Sequence, residues 1–322
     1  MIAHSGKYRK KNGQRGYVMM NNFIFENKTK VYFGKGGVKE YLGGLLANFG
    51  ETVMLAYGGG SIKCNGVYDE IMGILNAQGK CVVEFSGIMS NPTYAKVQEG
   101  AKLARENHVD LILAVGGGSV SDCCKVISGA FDTLSHAMET YFGKPDENNL
   151  SDDINEAVMR SVIRSIRILL TDPENYDARS ELARASAMAE NGVLKIGKVT
   201  DFQAHQIEHQ LGAYTNCNHG AGLAVIHPVL YRHIYKSGTA RFTRWAQNVW
   251  GIAPKGSDGE TAAGIDALAA FIKEIGLPTS FAELGIPADT DFRAVADSTN
   301  ITAGCCKKLT HDEIYEILQE CL

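Results

Sequence analysis

The chain contains no apolar run long enough to cross a bilayer, which excludes a transmembrane helix. It also lacks a strong charge of either sign. A formal net charge of −4 supplies no attraction to nucleic acid or to an anionic membrane surface. No C-x-x-C pair occurs among Cys64, Cys81, Cys123, Cys124, Cys217, Cys305, Cys306 and Cys321. Neither a zinc ribbon nor a disulfide framework is indicated, and a reduced, cytoplasmic setting is the simplest. The first eighteen residues are basic and have no apolar stretch of the kind a secretory signal needs, so residues 1–19 read as a disordered leader. The remaining length suffices for one large or two ordinary domains with substantial cores.

From about residue 29 to 128 short β-rich runs alternate with helical stretches. The runs are KVYF (30–33), TVMLAY (52–57), CVVEF (81–85) and LILAV (111–115). Between them GVYDEIMGILNAQG and PTYAKVQEGAKLAREN have helical spacing, with Pro92 at a helix start and Val97, Ala101 and Ala104 on the apolar stripe. Apolar strands alternating with helices predict a parallel sheet covered on both faces. From 129 onward there are long amphipathic segments instead. These include 151–170, opened by Ser151, Asp152 and Asp153 as N-cap and dipole-matched charge, and TAAGIDALAAFIKEIGLP with Gly276–Leu277–Pro278 as its stop. The expected fold class is an α/β Rossmann-like N-terminal domain (20–128), followed by an all-α domain (129–322).

The helical part carries a constellation suited to a divalent metal. Residues four apart share one face of a helix, so Asp132 with His136, and His205 with His209, each form a two-group jaw. His219, ten residues after His209 and just before a glycine, can close the cage from a following loop. Imidazoles with one carboxylate suit zinc or ferrous iron and leave room for a substrate. The α/β part carries glycines where a phosphate would need them. Gly116, Gly117, Gly118 and Ser119 follow a strand and open a helix, which lets the backbone and free N–H groups approach a diphosphate. Gly58, Gly59, Gly60 and Ser61 stand at the end of 52–57, followed by Lys63. NAD sites often place an acid there to hold the ribose diol. With no acid to repel a 2′-phosphate, NADP is favoured over NAD.

FGKGG (33–37), YGGGS (57–61), SNPT (90–93), GGGSVSDCCK (116–125), FDTLSHAMETY and the ordered D-x3-H, H-x3-H-x9-H set resemble the iron-containing alcohol dehydrogenase family. The NADP-dependent butanol dehydrogenase branch is the nearest in pattern, and the resemblance covers nearly all of 20–322. It implies the dehydroquinate synthase-like, iron-type alcohol dehydrogenase fold. It implies Asp132, His136, His205 and His219 as ligands of Fe2+ or Zn2+, and His209 as a non-ligand that orients substrate or relays a proton. NADP(H) would be held by Gly116, Gly117, Gly118 and Ser119, with Asp122 nearby, by Gly59, Gly60 and Ser61 around the 2′-phosphate, and by Asn91. The implied protein is a cytoplasmic homodimer acting on small alcohols or aldehydes such as butanol and butanal.

The chain departs from that family at one place. Asp122 and Asp132 are only ten residues apart, where family members have many tens of residues carrying further strands. Val126-Ile127-Ser128 runs straight into Gly129, as an internal deletion would produce. If the helix opened by Ser119 continued, Asp132 would lie roughly 15 Å along its axis from Asp122, whereas Gly129 could instead break it. The sheet is therefore expected to be truncated to four strands with an exposed edge, and cofactor binding, stability and activity to be impaired. Two rival functions remain. His205-Gln206-Ile207-Glu208-His209 reads as H-x-x-E-H, an inverted-zincin hydrolase motif with Glu208 as base and Glu274 as a conceivable third ligand. An inactive metal-binding remnant is the other. His227, before Pro228, reads as a residue opening a helix, and Trp245 and Trp250 as packing.

Overall fold

TVMLAY is apolar from Val53 onward, as a strand covered on both faces must be. In the computed structural model Thr52–Tyr57 is β1, the centre of a parallel sheet ordered β2-β1-β3. β2 is Cys81–Phe85 and β3 is Leu111–Val115, and Val53 pairs in register with both Val82 and Leu111. The structure describes residues 30, 32, 34–88, 94–116, 123–145, 148–253, 258–301 and 306–322. Helices α1 (Gly37–Leu46), α2 (Ser61–Cys64) and α3 (Val67–Ala77) cover one face of the sheet and α4 (Tyr94–Glu106) the other. The strand's period of two sorts its side chains. Val53, Leu55 and Tyr57 pack with Leu46, Ile71 and Leu75, while Met54 and Ala56 pack with Phe85, Leu103 and Ala104. That second face is thin. Ile112, paired to Met54, is 59% exposed.

The remaining helices are α5 (Cys123–Tyr141), α6 (Leu150–Thr171), α7 (Tyr176–Glu190), α8 (Gln203–Thr215), α9 (His219–Ile234), α10 (Thr239–Asn248), α11 (Asp258–Glu274), α12 (Phe281–Leu284), α13 (Phe292–Ser298) and α14 (His311–Glu320). They enclose a separate core in which Phe131, Leu134, Met138 and Phe142 of α5 meet Leu223, Ile226, Leu230 and Tyr231 of α9. α11 ends as its glycine stop predicts, with Gly276 at φ 73 just beyond it.

Several expectations are corrected. Residues 31 and 33 of the run 30–33 lie outside the described residues, and among the described residues the sheet has three strands. The N-cap of α6 is Asn149, in a reciprocal capping box with Asp152, and not Ser151. Ala101 points outward, and Gly100, Leu103 and Ala104 turn towards the sheet. His227 lies inside α9, fully buried, where its Nε2 is 2.5 Å from Ser135 Oγ. Gly129 does not break α5. Burial of Ala130 and Phe131 immediately after it carries the helix through.

Candidate metal centre

α5 presents Asp132, His136 and Glu139 along one face, the spacing of successive helical turns. α8 brings His205, Glu208 and His209, and α9 begins at His219 behind its N-cap Asn218. The packing of these three helices makes Asp132 Oδ1 a focus. It lies 3.3 Å from His205 Nε2, 3.4 Å from His219 Nε2 and 3.6 Å from His136 Nε2. Asp132 Oδ1 and His205 Nε2 are buried with no hydrogen-bond partner. Orphaned buried atoms of this kind are costly unless something completes them. Two donors bound at about 2.1 Å to one tetrahedral ion sit about 3.4 Å apart, so the focus fits a divalent cation in both chemistry and size. Donor atoms of Asp132, His205 and His219 all lie within 4.8 Å of one another. His136 is shared, because its Nε2 is also 2.9 Å from Glu190 Oε1. His209 stands to the side, exposed, with its ring stacked on that of His219 at 5.3 Å between centroids.

Electrostatics follow from this crowding. Burial alone would lower the pKa of His205, but Glu139 and Asp132 outweigh it and raise it to about 9. His219, opposed by burial in the same way, is carried to about 10 by Asp132 and Glu208. Burial works to raise the pKa of Asp132, yet the facing imidazoles hold its carboxyl well below the usual range. Burial, then the charge of His205, pushes His136 down to about 4, and burial followed by the charges of His219 and His205 lowers His209. A histidine raised on folding stabilises the fold fully below its unfolded pKa near 6.5 and loses that contribution as pH rises through the folded value. Metal-stripped protein is therefore expected to lose stability between pH 7 and 10 through His205 and then His219. His136 acts oppositely, below pH 6.5. Urea unfolding in chelator across this range checks it, and a stability that rises steadily to pH 10 would contradict it.

Glu208 does not serve as the base of an H-x-x-E-H hydrolase. It is 2% exposed and its Oε2 is taken by His219 Nδ1. Glu274, the conceivable third ligand, forms a two-pronged pair with Arg167 at 2.8 and 2.7 Å. Glu139, the partner of His205 Nδ1, was missed from sequence, although its place seven residues after Asp132 on the same helix was the available signal.

On the sheet, Tyr57 pairs with Val115, so Gly58 and Gly116 leave adjacent strands at the same carboxyl edge, where open α/β sheets bind ligands. Gly59 and Gly60 form the turn from β1 into Ser61 of α2, with Gly60 at φ 109. Asn91, Gly117, Gly118, Ser119 and Asp122 lie outside the described residues. An acid does stand near this turn. Glu84 of β2 accepts from Tyr57 Oη at 2.5 Å and Tyr68 Oη at 2.6 Å, and sits 3.5 Å from Lys63 Nζ. The two tyrosine hydroxyls, with Lys63, hold its carboxyl below the ordinary value.

Residues 126–322 match the Fe-containing alcohol dehydrogenase family, C-terminal, and residues 28–158 match iron-containing alcohol dehydrogenase. NADH-dependent butanol dehydrogenase A of Clostridium acetobutylicum is 28% identical, with 94% of this chain and 100% of that protein covered. That alignment runs over 389 positions, more than the 322 residues of this chain, so part of the relative has no counterpart here. NADPH-dependent aldehyde reductase YqhD of Escherichia coli is 26% identical over 83% of this chain and 90% of its own. The crystal structure of NADH-dependent butanol dehydrogenase A from Thermotoga maritima superposes with a TM-score of 0.86 at 27% identity, covering 94% of this chain and 99% of that one. Among the described residues no helix is long and apolar enough to cross a membrane.

Proposed function

The chain belongs to the iron-containing alcohol dehydrogenase family, and on that premise we propose that it interconverts small linear alcohols and aldehydes, butanol and butanal in kind, with NADP(H) as hydride partner. The observation that carries this is the convergence of three imidazole Nε2 atoms on the orphaned Asp132 Oδ1. Asp132, His136, His205 and His219 would hold an iron or zinc ion. When bound, such an ion supplies Lewis acidity to a carbonyl or alcohol oxygen, and the nicotinamide supplies or takes the hydride.

His209 is the group assigned to proton movement. Its lowered pKa leaves a ring nitrogen with a free lone pair at neutral pH, and its exposure beside His219 gives it access to both substrate oxygen and solvent. Gly59, Gly60, Ser61 and Gly116 let the backbone approach the cofactor phosphates, with Asn91, Gly117, Gly118, Ser119 and Asp122 assigned beside them. The dinucleotide-binding part is read as 20–128 and the metal-binding part as 129–322, so that α5 runs from one into the other. A cytoplasmic homodimer completes the reading, a setting that suits the free thiols of Cys64, Cys81 and Cys321.

Preference for NADP(H) rests on Lys63, a cation two residues beyond Ser61, whose neighbour Glu84 is already engaged by two hydroxyls. An ammonium on a phosphate is a charge-assisted contact of about 1.5–3 kcal/mol. Lys63→Ala is therefore expected to lower kcat/KM with NADPH by roughly ten- to a hundredfold while NADH is little affected. The test is oxidation of each cofactor with butanal, on parent and variant loaded with ferrous iron or zinc. The truncated sheet predicts a high KM for cofactor in the parent. Equal loss with both cofactors would remove the NADP assignment, and no metal-dependent turnover with either would remove the whole reading.

A further inference from the structure

An imidazole offers a metal only one lone pair at a time, and in water its single proton is free to sit on either nitrogen. A centre built on Nε2 atoms must therefore keep the proton on Nδ1. Two carboxylates outside the focus do this for two of the histidines. His205 Nδ1 donates to Glu139 Oε2, and His219 Nδ1 donates to Glu208 Oε2. Glu139 is fully buried and Glu208 is 2% exposed, an expensive location for an ionised group unless its oxygens are occupied.

Each carboxylate is itself held by features with no other evident purpose. Glu139 receives the first-turn amides of α8, Ala204 N–H at 2.5 Å and His205 N–H at 3.2 Å. Phe202, the N-cap of that helix, sits at φ 56 and has no side-chain acceptor. Glu139 therefore caps α8 from a different helix, and satisfying those amides fixes where its oxygens lie. Glu208 lies in a slot between two glycines. A Cβ on Gly222 would come 2.9 Å from Glu208 Cγ and 3.0 Å from its Oε1, and one on Gly212 would come 3.4 Å from Oε1. Neither glycine has a positive φ, so their smallness serves the room they leave rather than the backbone.

We infer that Glu139 and Glu208 are positioning residues of the metal centre: each fixes the Nδ1–H form of one imidazole, aims its Nε2 at Asp132 Oδ1, and adds negative charge behind the site. This rests on the metal-centre reading above. It gives Glu208 a part in the dehydrogenase, where sequence alone would leave the residue a bystander.

The experiment measures zinc affinity by chelator competition, with bound zinc counted, for the parent and for Glu139→Gln, Glu208→Gln, Glu208→Ala and Gly222→Ala. Removing a partner of this kind typically weakens metal binding by 10–100-fold. Glu208→Ala is expected near the upper end and Glu208→Gln between it and the parent, because the amide oxygen still accepts from Nδ1–H but the charge is gone. Gly222→Ala, which leaves Glu208 in place but crowds it, is expected to weaken zinc in the same direction. Glu139→Gln retains an acceptor for only one of the two α8 amides, which go to different oxygens of Glu139. Helical circular dichroism is therefore read beside zinc affinity, with helicity expected to stay near the parent level while zinc affinity falls. Nitrogen-15 spectra of the zinc-bound parent should show His205 and His219 protonated on Nδ1.

Affinities within about twofold of the parent in all four variants would overturn the inference. So would a second zinc equivalent lost with Glu208→Ala, which would make Glu208 a ligand together with His209 and His219, whose donor atoms also lie within 4.8 Å of it. Asp132→Ala separates the two levels. If that variant keeps its zinc, the metal-centre reading itself fails, and if it loses zinc while the glutamate variants bind normally, only the positioning role does.

Discussion

An Asp132→Ala protein is expected to emerge from purification without stoichiometric metal and to reduce butanal at least about a thousandfold more slowly than the parent. Asp132 is the carboxylate at the focus, with Oδ1 within 3.6 Å of all three imidazole Nε2 atoms. Without it, three buried or half-buried imidazoles face each other with no anion between their Nε2 atoms, and the carboxylates of Glu139 and Glu208 remain only behind the site. Metal polarisation of a carbonyl is worth several kcal/mol, and about 1.4 kcal/mol corresponds to a factor of ten, so about 4 kcal/mol underlies the thousandfold figure. The fold should survive. Alanine is the best helix former, and the neighbours that anchor α5, Phe131 and Leu134, are fully buried in the core. Metal analysis beside turnover checks this, and stoichiometric iron or zinc in the variant would contradict it.

The second large effect concerns stability and lies away from the chemistry. Asp152 and Lys198 form an ion pair with both side chains 0% exposed, and Arg241 Nη1 reaches the same Asp152 oxygen at 2.9 Å. The two cations also donate to the carbonyl of Tyr141, Lys198 at 2.9 Å and Arg241 at 2.8 Å, tying the end of α5 to the start of α6. Removing one member of a buried ion group leaves the others uncompensated and costs about 3–5 kcal/mol. Asp152→Ala also breaks the capping box with Asn149, so Asp152→Asn, which keeps an acceptor oxygen there, isolates the charge. Both variants are expected to lower Tm by roughly 10 °C, the alanine by more. A shift under about 2 °C in scanning calorimetry would mean that the cations are satisfied without their carboxylate.

Much of the centre was legible because it depends on local geometry. Asp132 with His136 share a helix face by spacing alone, as do His205 with His209, and the glycine clusters stand next to apolar strands. What local spacing cannot reveal is a partner supplied by another helix. Glu139 meets Ala204 and His205 across more than sixty residues, and Glu84 meets Tyr57 across twenty-seven, so the acid that sequence found missing from the end of β1 arrives from the neighbouring strand. Gly129 was ambiguous for a related reason. A glycine inside a helical pattern costs about 1 kcal/mol, and whether the helix bears that depends on the burial around it. Ala130, Phe131 and Leu134 bury enough to carry α5 through.

By itself the sequence determined the layered α/β part, the helical part and a candidate donor set, because periodicity and spacing act within single elements, and its motifs carried the resemblance to the family. Only the tertiary structure decided which nitrogen of each histidine faces inward, which carboxylate stands behind it, and that His136 is shared with Glu190. Those choices follow from how α5, α8 and α9 pack around one core, and close packing fixes that arrangement only once every helix is in place.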